Sequence, residues 1–276
     1  MVDKFWPSHT LCRVSFDFSQ FAAVLLDLDG TLYREEHALP GAVALVRRLQ
    51  QEHRIIACVS NSTESPQGVV DRLHRMEIEI PTELICTASD AAARYCLQRF
   101  APRPRIMNLS TQSVHEMLEG LVQWVDAETE ECDVVLVGNP RCERATLERL
   151  RIGMRLIREG AICMGICADR AYPSPEGLEI GSGAMTHMLA YAAGVQPIFF
   201  GKPQKIFFQG LCDRLGVAPQ DCVLVGDNLE SDIGGAKGMG MKTILSLTGV
   251  ATRKDLEGAS PDQIPEWVVE NLEELV

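Results

Sequence analysis

The chain has 276 residues, enough for one large domain or two ordinary ones with a sizeable core. Its 26 basic and 38 acidic residues leave a net charge of −12, which argues against nucleic acid or an anionic membrane as the main partner; any phosphate it binds must be held by local donors and a metal against the overall field. Ten cysteines form no C-x-x-C pair and several lie in apolar runs, the pattern of reduced core thiols in a cytosolic protein rather than of a disulfide framework or zinc site. No apolar run approaches transmembrane length and residues 1–20 lack the apolar segment of a signal peptide, so a soluble, cytoplasmic protein is expected.

The first element is a short apolar run, Ala22 to Leu26, closed by Asp27-Leu-Asp29-Gly30-Thr31. It reads as a buried strand reaching its carboxyl end, with i and i+2 spacing that would present Asp27 and Asp29 together. Two adjacent carboxylates call for a metal ion, or for one of them to stay protonated. On its own, Asp-Leu-Asp-Gly reads more readily as a polar turn after a core strand. Pro40 opens a helical pattern (Val43, Leu45, Val46, Leu49) ending near His53, and Arg54 to Val59 is a second strand. Ser60-Asn61-Ser62-Thr63 follows, ahead of a helix that Ser65-Pro66 starts. That cluster is either an ordinary N-cap or an anion cradle of hydroxyls, backbone N–H groups and helix dipole.

From about Thr82 to Thr186 the alternation forms a unit of its own. Helices at 89–100, 114–118 and 145–159 alternate with strands at 105–109, 133–138 and 161–167. A Pro- and Gly-rich stretch from Asp169 to Gly183 then reads as a crossing between domains. Gln196 to Phe200 is read as a strand of the first pattern, ending in Gly201-Lys202-Pro203 before a helix to Leu215. Cys222 to Val225 is a strand ending in Gly226-Asp227-Asn228, with Asp232 in the following turn, and Lys242 to Leu247 leads into Thr248-Gly249-Val250.

Four strand tips thus carry a carboxylate pair, a hydroxyl-amide cluster, a lysine and a second acidic cluster. In a doubly wound parallel sheet all those tips share one edge, where ligands bind at the switch point of strand order. Their joint occurrence outweighs the bland reading of each.

These residues resemble the four signature motifs of the haloacid dehalogenase superfamily: Asp27-x-Asp29-Gly-Thr, Ser60, Lys202 and Gly-Asp227-Asn228-x-x-x-Asp232. With the insert lying between Ser60 and Lys202, the chain is similar to the NagD-like, p-nitrophenyl phosphatase subfamily. The resemblance covers nearly everything after Phe21. It implies an α/β fold, with a Rossmann-like doubly wound parallel sheet core in residues 1–82 and 187–276 and a smaller α/β cap inserted as residues 83–186. It further implies a magnesium-dependent phosphatase of a small-molecule phosphate ester, of the sugar phosphate, nucleoside monophosphate, phosphoglycolate or pyridoxal phosphate class.

By that resemblance Asp27 is the nucleophile that becomes an aspartyl-phosphate, and Asp29 is the acid and base. Mg2+ is held by Asp27, the Asp29 backbone carbonyl and Asp227. Ser60, Asn61, Ser62 and Lys202 hold phosphate oxygens, with Asn228 beside the metal and Asp232 orienting metal-bound water or Lys202. The cap departs from the family pattern: Cys167-Ala168-Asp169 stands where Asn-x-Asp is common, Asn139-Pro140 where Leu-Asp is, and Tyr172 where the pyridoxal phosphate enzyme has a histidine. Asp169 and Tyr172 are therefore the specificity candidates, against a reading in which Tyr172 packs beside Pro173. Two rivals stand beside the phosphatase: a catalytically weak binding or regulatory module, and a phosphotransferase of the same superfamily. A phosphonatase would need a cap lysine, and 82–186 holds none. A homo-oligomeric state is left open.

Overall fold

The computed structural model describes residues 16–174 and 177–276, with the backbone alone described at 173–174. Most of the stretch read as lacking a signal peptide, together with Cys12, lies outside the described residues. No described helix is long and apolar enough to cross a membrane.

In chain order, β1 (Ala23–Asp27) is followed by a hairpin of β2 (Tyr33–Arg34) and β3 (His37–Ala38), then α1 (Ala42–Gln51), β4 (Ile55–Ser60), α2 (Pro66–Arg75) and β5 (Ile85–Thr87). The middle of the chain forms α3 (Ala88–Arg99), β6 (Arg105–Leu109), α4 (Gln112–Leu118), β7 (Gln123–Trp124), β8 (Val134–Val137), α5 (Leu147–Arg158) and β9 (Ile162–Gly165). A second hairpin, β10 (Ala171–Ser174) and β11 (Gly177–Ile180), precedes α6 (Ser182–Ala193) and β12 (Ile198–Phe199). The last part is α7 (Lys205–Leu215), β13 (Cys222–Gly226), α8 (Gly235–Lys237), β14 (Lys242–Ser246), α9 (Arg253–Glu257) and β15 (Trp267–Val269).

Six parallel strands form the first sheet in the order β15-β14-β13-β1-β4-β5. Strand β1 is central because it is apolar on both faces. Val24 and Leu26 pack with Leu45, Leu49, Val69 and Leu73 of α1 and α2, while Ala23 and Leu25 pack with Phe207, Phe208 and Leu211 of α7. A parallel strand covered on both sides reads as a continuous apolar run, which is why it was visible in the sequence. Strand order reverses between β1 and β13, so the crevice at their carboxyl ends is the switch point.

The second sheet, β12-β9-β8-β6-β7, is also parallel and also clad on both faces. Ile106, Val134 and Met164 face α3 and α4; Met107, Val135 and Cys163 face α5 and α6.

Sheet membership departs from the ranges expected at both crossings. Ile85–Thr87 pairs with β4 in the first sheet, although the insert was expected to begin at 83. Residues 187–200 stay with the second sheet: Leu189 and Ala190 of α6 pack on its strands, and Ile198 and Phe199 pair with Met164 and Gly165. The Gln196–Phe200 run is thus an edge strand of the second sheet, because an apolar run fixes that a strand is buried and not which strand it meets. The expected crossing at 169–183 is a hairpin, with Tyr172 opposite Glu179. Prolines and glycines suit a tight turn as well as a linker.

Candidate active site

Adjacent parallel strands bring their tips together, and β1 and β13 pair in register from Ala23↔Cys222 to Leu26↔Val225. Asp27 therefore ends beside Gly226-Asp227. A wide helical turn, Leu229–Gly234, folds Asp232 back onto them. Asn228 builds that turn: its Oδ1 accepts the Glu230 and Ser231 N–H groups at 2.9 and 3.0 Å, and its own N–H donates to Asp232 Oδ2 at 3.1 Å. One oxygen from each of Asp27, Asp227 and Asp232 lies within 4.8 Å of the others, and all three residues are buried.

The Lys202 ammonium stands between two of these carboxylates, bonded to Asp27 Oδ1 and, at 2.6 Å, to Asp232 Oδ1. Thr31 Oγ1 donates to the second oxygen of Asp27 at 3.1 Å, and the Val250 N–H donates to Asp227 Oδ2 at 2.6 Å. Asp227 is closely backed by main chain: a Cβ on Gly249 would lie 1.8 Å from its Oδ2, which only glycine permits. Lys202 was expected at a tip of the first sheet. It arrives instead on the segment between β12 and α7, crossing from one sheet to the other, and still reaches the same edge.

One ammonium against three ionised carboxylates would leave two buried negative charges. Burial pushes the Asp27 carboxyl well up, against the pull of Lys202 and with the push of Asp232 and Asp227. Burial, with Asp232 adding to it, raises Asp227 to about 6. Burial opposes the charge of Lys202, but Asp232 and Asp27 outweigh it and hold the lysine above its ordinary range. A set of hard carboxylate oxygens with unmet negative charge fits a small oxygen-seeking dication such as magnesium.

Asp29 lies apart from this trio. Strand β1 ends at Asp27, and Asp29 sits in the following turn, bridged to Tyr33, with its carboxyl open to solvent on one side. Asp27 converges with Asp227 and Asp232, and Asp29, expected to stand beside Asp27, is not among the carboxylates within 4.8 Å of one another. Burial of the other side raises the Asp29 pKa against the pull of Arg72 and Arg34.

Ser60 ends β4 and is buried, its Oγ accepting the Ser62 N–H at 3.1 Å; Ser62 Oγ in turn accepts the Glu64 N–H at 3.0 Å. The Asn61 amide is engaged with Lys202: Oδ1 accepts its N–H at 2.7 Å and Nδ2 donates to its carbonyl at 3.0 Å. Asp169 is brought to this group through Asn61 Nδ2 at 3.4 Å. Tyr172 is not; its hydroxyl donates to Asn139 Oδ1 at 3.3 Å. The alternative, packing of Tyr172 beside Pro173, rests on a side chain outside those described.

Sequence reading gave no role to the loop after β14. Beyond Gly249 and Val250, Thr248 Oγ1 donates to the Gly30 carbonyl at 2.6 Å, tying that loop to the turn after β1. The available signal was position alone, since this loop leaves the carboxyl end of a strand next to β13.

A parallel sheet with this charged edge defines a class of hydrolase. Residues 24–145 match the family model described as haloacid dehalogenase-like hydrolase, and 199–275 match a second HAD-hydrolase-like model. The chain is 34% identical over 240 residues to haloacid dehalogenase-like hydrolase domain-containing protein 2 of Homo sapiens, covering 87% of this chain and 89% of that protein. It belongs to the haloacid dehalogenase-like hydrolase family. Among solved structures it is similar to a 4-nitrophenylphosphatase from Thermotoga maritima, with TM-score 0.84 and 29% identity over 93% of this chain and 96% of that one. It is also similar to a glycerol phosphate phosphatase from Mycobacterium tuberculosis in complex with magnesium, with TM-score 0.82 and 26% identity over 92% and 77% of the two chains.

Proposed function

We propose that the protein is a magnesium-dependent phosphatase that hydrolyses a small phosphorylated metabolite through an aspartyl-phosphate on Asp27. The observation that carries this reading is the buried trio of Asp27, Asp227 and Asp232 around a single ammonium. The substrates named for the two structural relatives, a nitrophenyl phosphate and a glycerol phosphate, support a small phosphomonoester. Sugar phosphates, nucleoside monophosphates, phosphoglycolate and pyridoxal phosphate are the classes to test.

Magnesium would be held by Asp27, the Asp29 main-chain carbonyl and Asp227, and would supply the positive charge that lets an anionic carboxylate approach an anionic phosphate. One Asp27 oxygen forms the bond to phosphorus while the ester oxygen leaves. Asp29, its pKa raised, carries the proton that the leaving oxygen takes, and afterwards receives one from the water that cleaves the aspartyl-phosphate. Lys202 offsets charge on the phosphoryl oxygens, with Ser60 and the Asn61–Ser62 main chain beside it. Asp232 holds the lysine there and Asn228 holds Asp232.

The test is magnesium-dependent turnover of p-nitrophenyl phosphate, with a phosphorylated protein sought by mass spectrometry in Asp29→Asn. That variant should form the aspartyl-phosphate from a good leaving group and hydrolyse it slowly. Absence of turnover with and without magnesium, in a folded chain, would leave a binding module.

A further inference from the structure

Asn61 spends its side chain on main chain rather than on open space. Its carboxamide meets both polar groups of the Lys202 backbone, at 2.7 and 3.0 Å, as a two-bond pair. The approach is close enough to exclude a side chain on the preceding residue: a Cβ on Gly201 would lie 2.5 Å from Asn61 Oδ1 and 2.8 Å from the Cys167 Cβ. Lys202 itself lies between β12, which belongs to the second sheet, and α7, which packs on the first. No strand pairing fixes it to the first sheet, yet its ammonium has to meet Asp27 and Asp232. The third contact of the same amide, Nδ2 to Asp169 Oδ1 at 3.4 Å, comes from just past β9 of the second sheet.

We propose that Asn61 is a positioning residue: its carboxamide clamps the Lys202 main chain and so sets where the ammonium stands, while Asp169 keeps the amide turned toward Lys202. The inference rests on the phosphatase reading above and departs from it in one respect. Asn61 acts on a bound phosphate through Lys202 and not through its own side chain, and Asp169 acts through Asn61 and not on the leaving group.

A binding cycle separates the two routes. The dissociation constant of inorganic phosphate is measured on the full chain with magnesium, for the unaltered protein, Asn61→Ala, Lys202→Met and the double variant, with thermal unfolding as a check of folding. Loss of two neutral hydrogen bonds on Lys202 should weaken phosphate about tenfold in Asn61→Ala. In the Lys202→Met background the same change should have no further effect, because the group it positions is gone. Losses that multiply in the double variant, as for a side chain touching phosphate itself, would overturn the proposal, as would unaltered phosphate binding by Asn61→Ala. Asp169→Asn should weaken phosphate by a few-fold in the native background and not at all beside Asn61→Ala; a changed ranking of leaving groups with unchanged phosphate binding would overturn the role of Asp169. If Asn61→Ala folds poorly, Asn61→Ser enters the same cycle with the same expectation, since it adds no charge and is too short to meet both polar groups of the Lys202 main chain. An unaltered protein that neither binds phosphate nor hydrolyses p-nitrophenyl phosphate would instead remove the phosphatase reading, and this inference with it.

Discussion

Both sheets are parallel, both are clad by helices on two faces, and both end in polar residues at their carboxyl edges; what differs is how those residues are partnered. At the first edge the groups are charged and mutually bonded, so that Asp27, Lys202, Asp232 and Asn228 form one continuous chain of contacts. At the second edge they are largely neutral and unevenly bonded. Tyr172 reaches Asn139, whose Oδ1 also accepts the Arg141 N–H at 2.9 Å, while Asn108 Nδ2 and Ser110 Oγ are buried without a hydrogen-bond partner. A buried charged network fails when any member moves, because the remaining charges lose their compensation. A neutral pair can be exchanged at small cost. Under the proposed function, the difference fits a division in which the first edge handles the phosphate common to all substrates and the second meets the part that varies.

The comparison would break most visibly at the first edge. Asp27→Asn keeps the shape and removes the proposed nucleophile, so turnover should fall by about 10⁴ or more. Near-normal magnesium-dependent turnover in a folded Asp27→Asn protein would remove Asp27 as nucleophile. Gly249→Ala is a subtler attack on the same edge. The added methyl cannot share the space 1.8 Å from Asp227 Oδ2, so the carboxylate or the loop must shift, and the carboxylate is the freer of the two. Misplacement of about 1 Å at a reacting centre costs on the order of 10²-fold in rate. The apparent magnesium requirement, read from turnover against metal concentration, should rise in parallel; a fall in turnover without that rise would mean that the loop gives way instead of Asp227.

The next effect is on stability and its sign is fixed by linkage. The Asp227 pKa is raised from 3.8 to about 6, by burial first and by Asp232 second. Between those two values the folded chain keeps a proton that the unfolded chain has released. The contribution of Asp227 to metal-free stability is therefore complete below the lower value and lost as pH rises through the upper one. In the proposed site magnesium would compete with the proton for the same carboxylate, so it should raise the thermal midpoint more at about pH 7.5 than at about pH 5. Midpoints with chelator and with magnesium across that range read this directly. A magnesium effect independent of pH, or a slope undiminished by Asp227→Asn, would place the raised group elsewhere, with Asp27 and Asp29 the other carboxyls that burial raises.

Much of this edge was legible because its elements are local. Strands β1, β4, β13 and β14 are apolar runs closed by cap and turn residues, and parallel sheets put such ends together whatever the loops between them do. Less legible were matters of partnership. Ile198 and Phe199 announce a buried strand, but their pairing with β9 depends on residues more than thirty positions away. Three residues, Ile85–Thr87, are too few to carry a period, so β5 merged with the insert that follows it. Asn61 was visible as a polar residue beside Ser60, whereas its bonds to Lys202 span 141 positions of sequence. Gly249 and Val250 carry no side-chain chemistry and act through main chain, which no residue-type pattern marks.

The smallest effect belongs to the second edge, and it sharpens the comparison instead of breaking it. The Tyr172 hydroxyl makes one neutral hydrogen bond, to Asn139, and no described contact links it to Asp27, Lys202 or Asp232. Tyr172→Ala should therefore leave the magnesium requirement and the phosphorylated-protein signal of Asp29→Asn intact. Its effect should fall on KM, by up to about tenfold and unequally across a panel of sugar phosphates, nucleoside monophosphates, phosphoglycolate and pyridoxal phosphate. Tyr172→Phe separates the ring from the hydroxyl. If the hydroxyl serves only to set Asn139, then Asn139→Ala should reorder the panel in the same way as Tyr172→Phe, and the two changes together should do no more than either. An unchanged ranking in all three variants would leave the Tyr172–Asn139 pair as packing at the hairpin base, and move selectivity to the other polar groups of that edge.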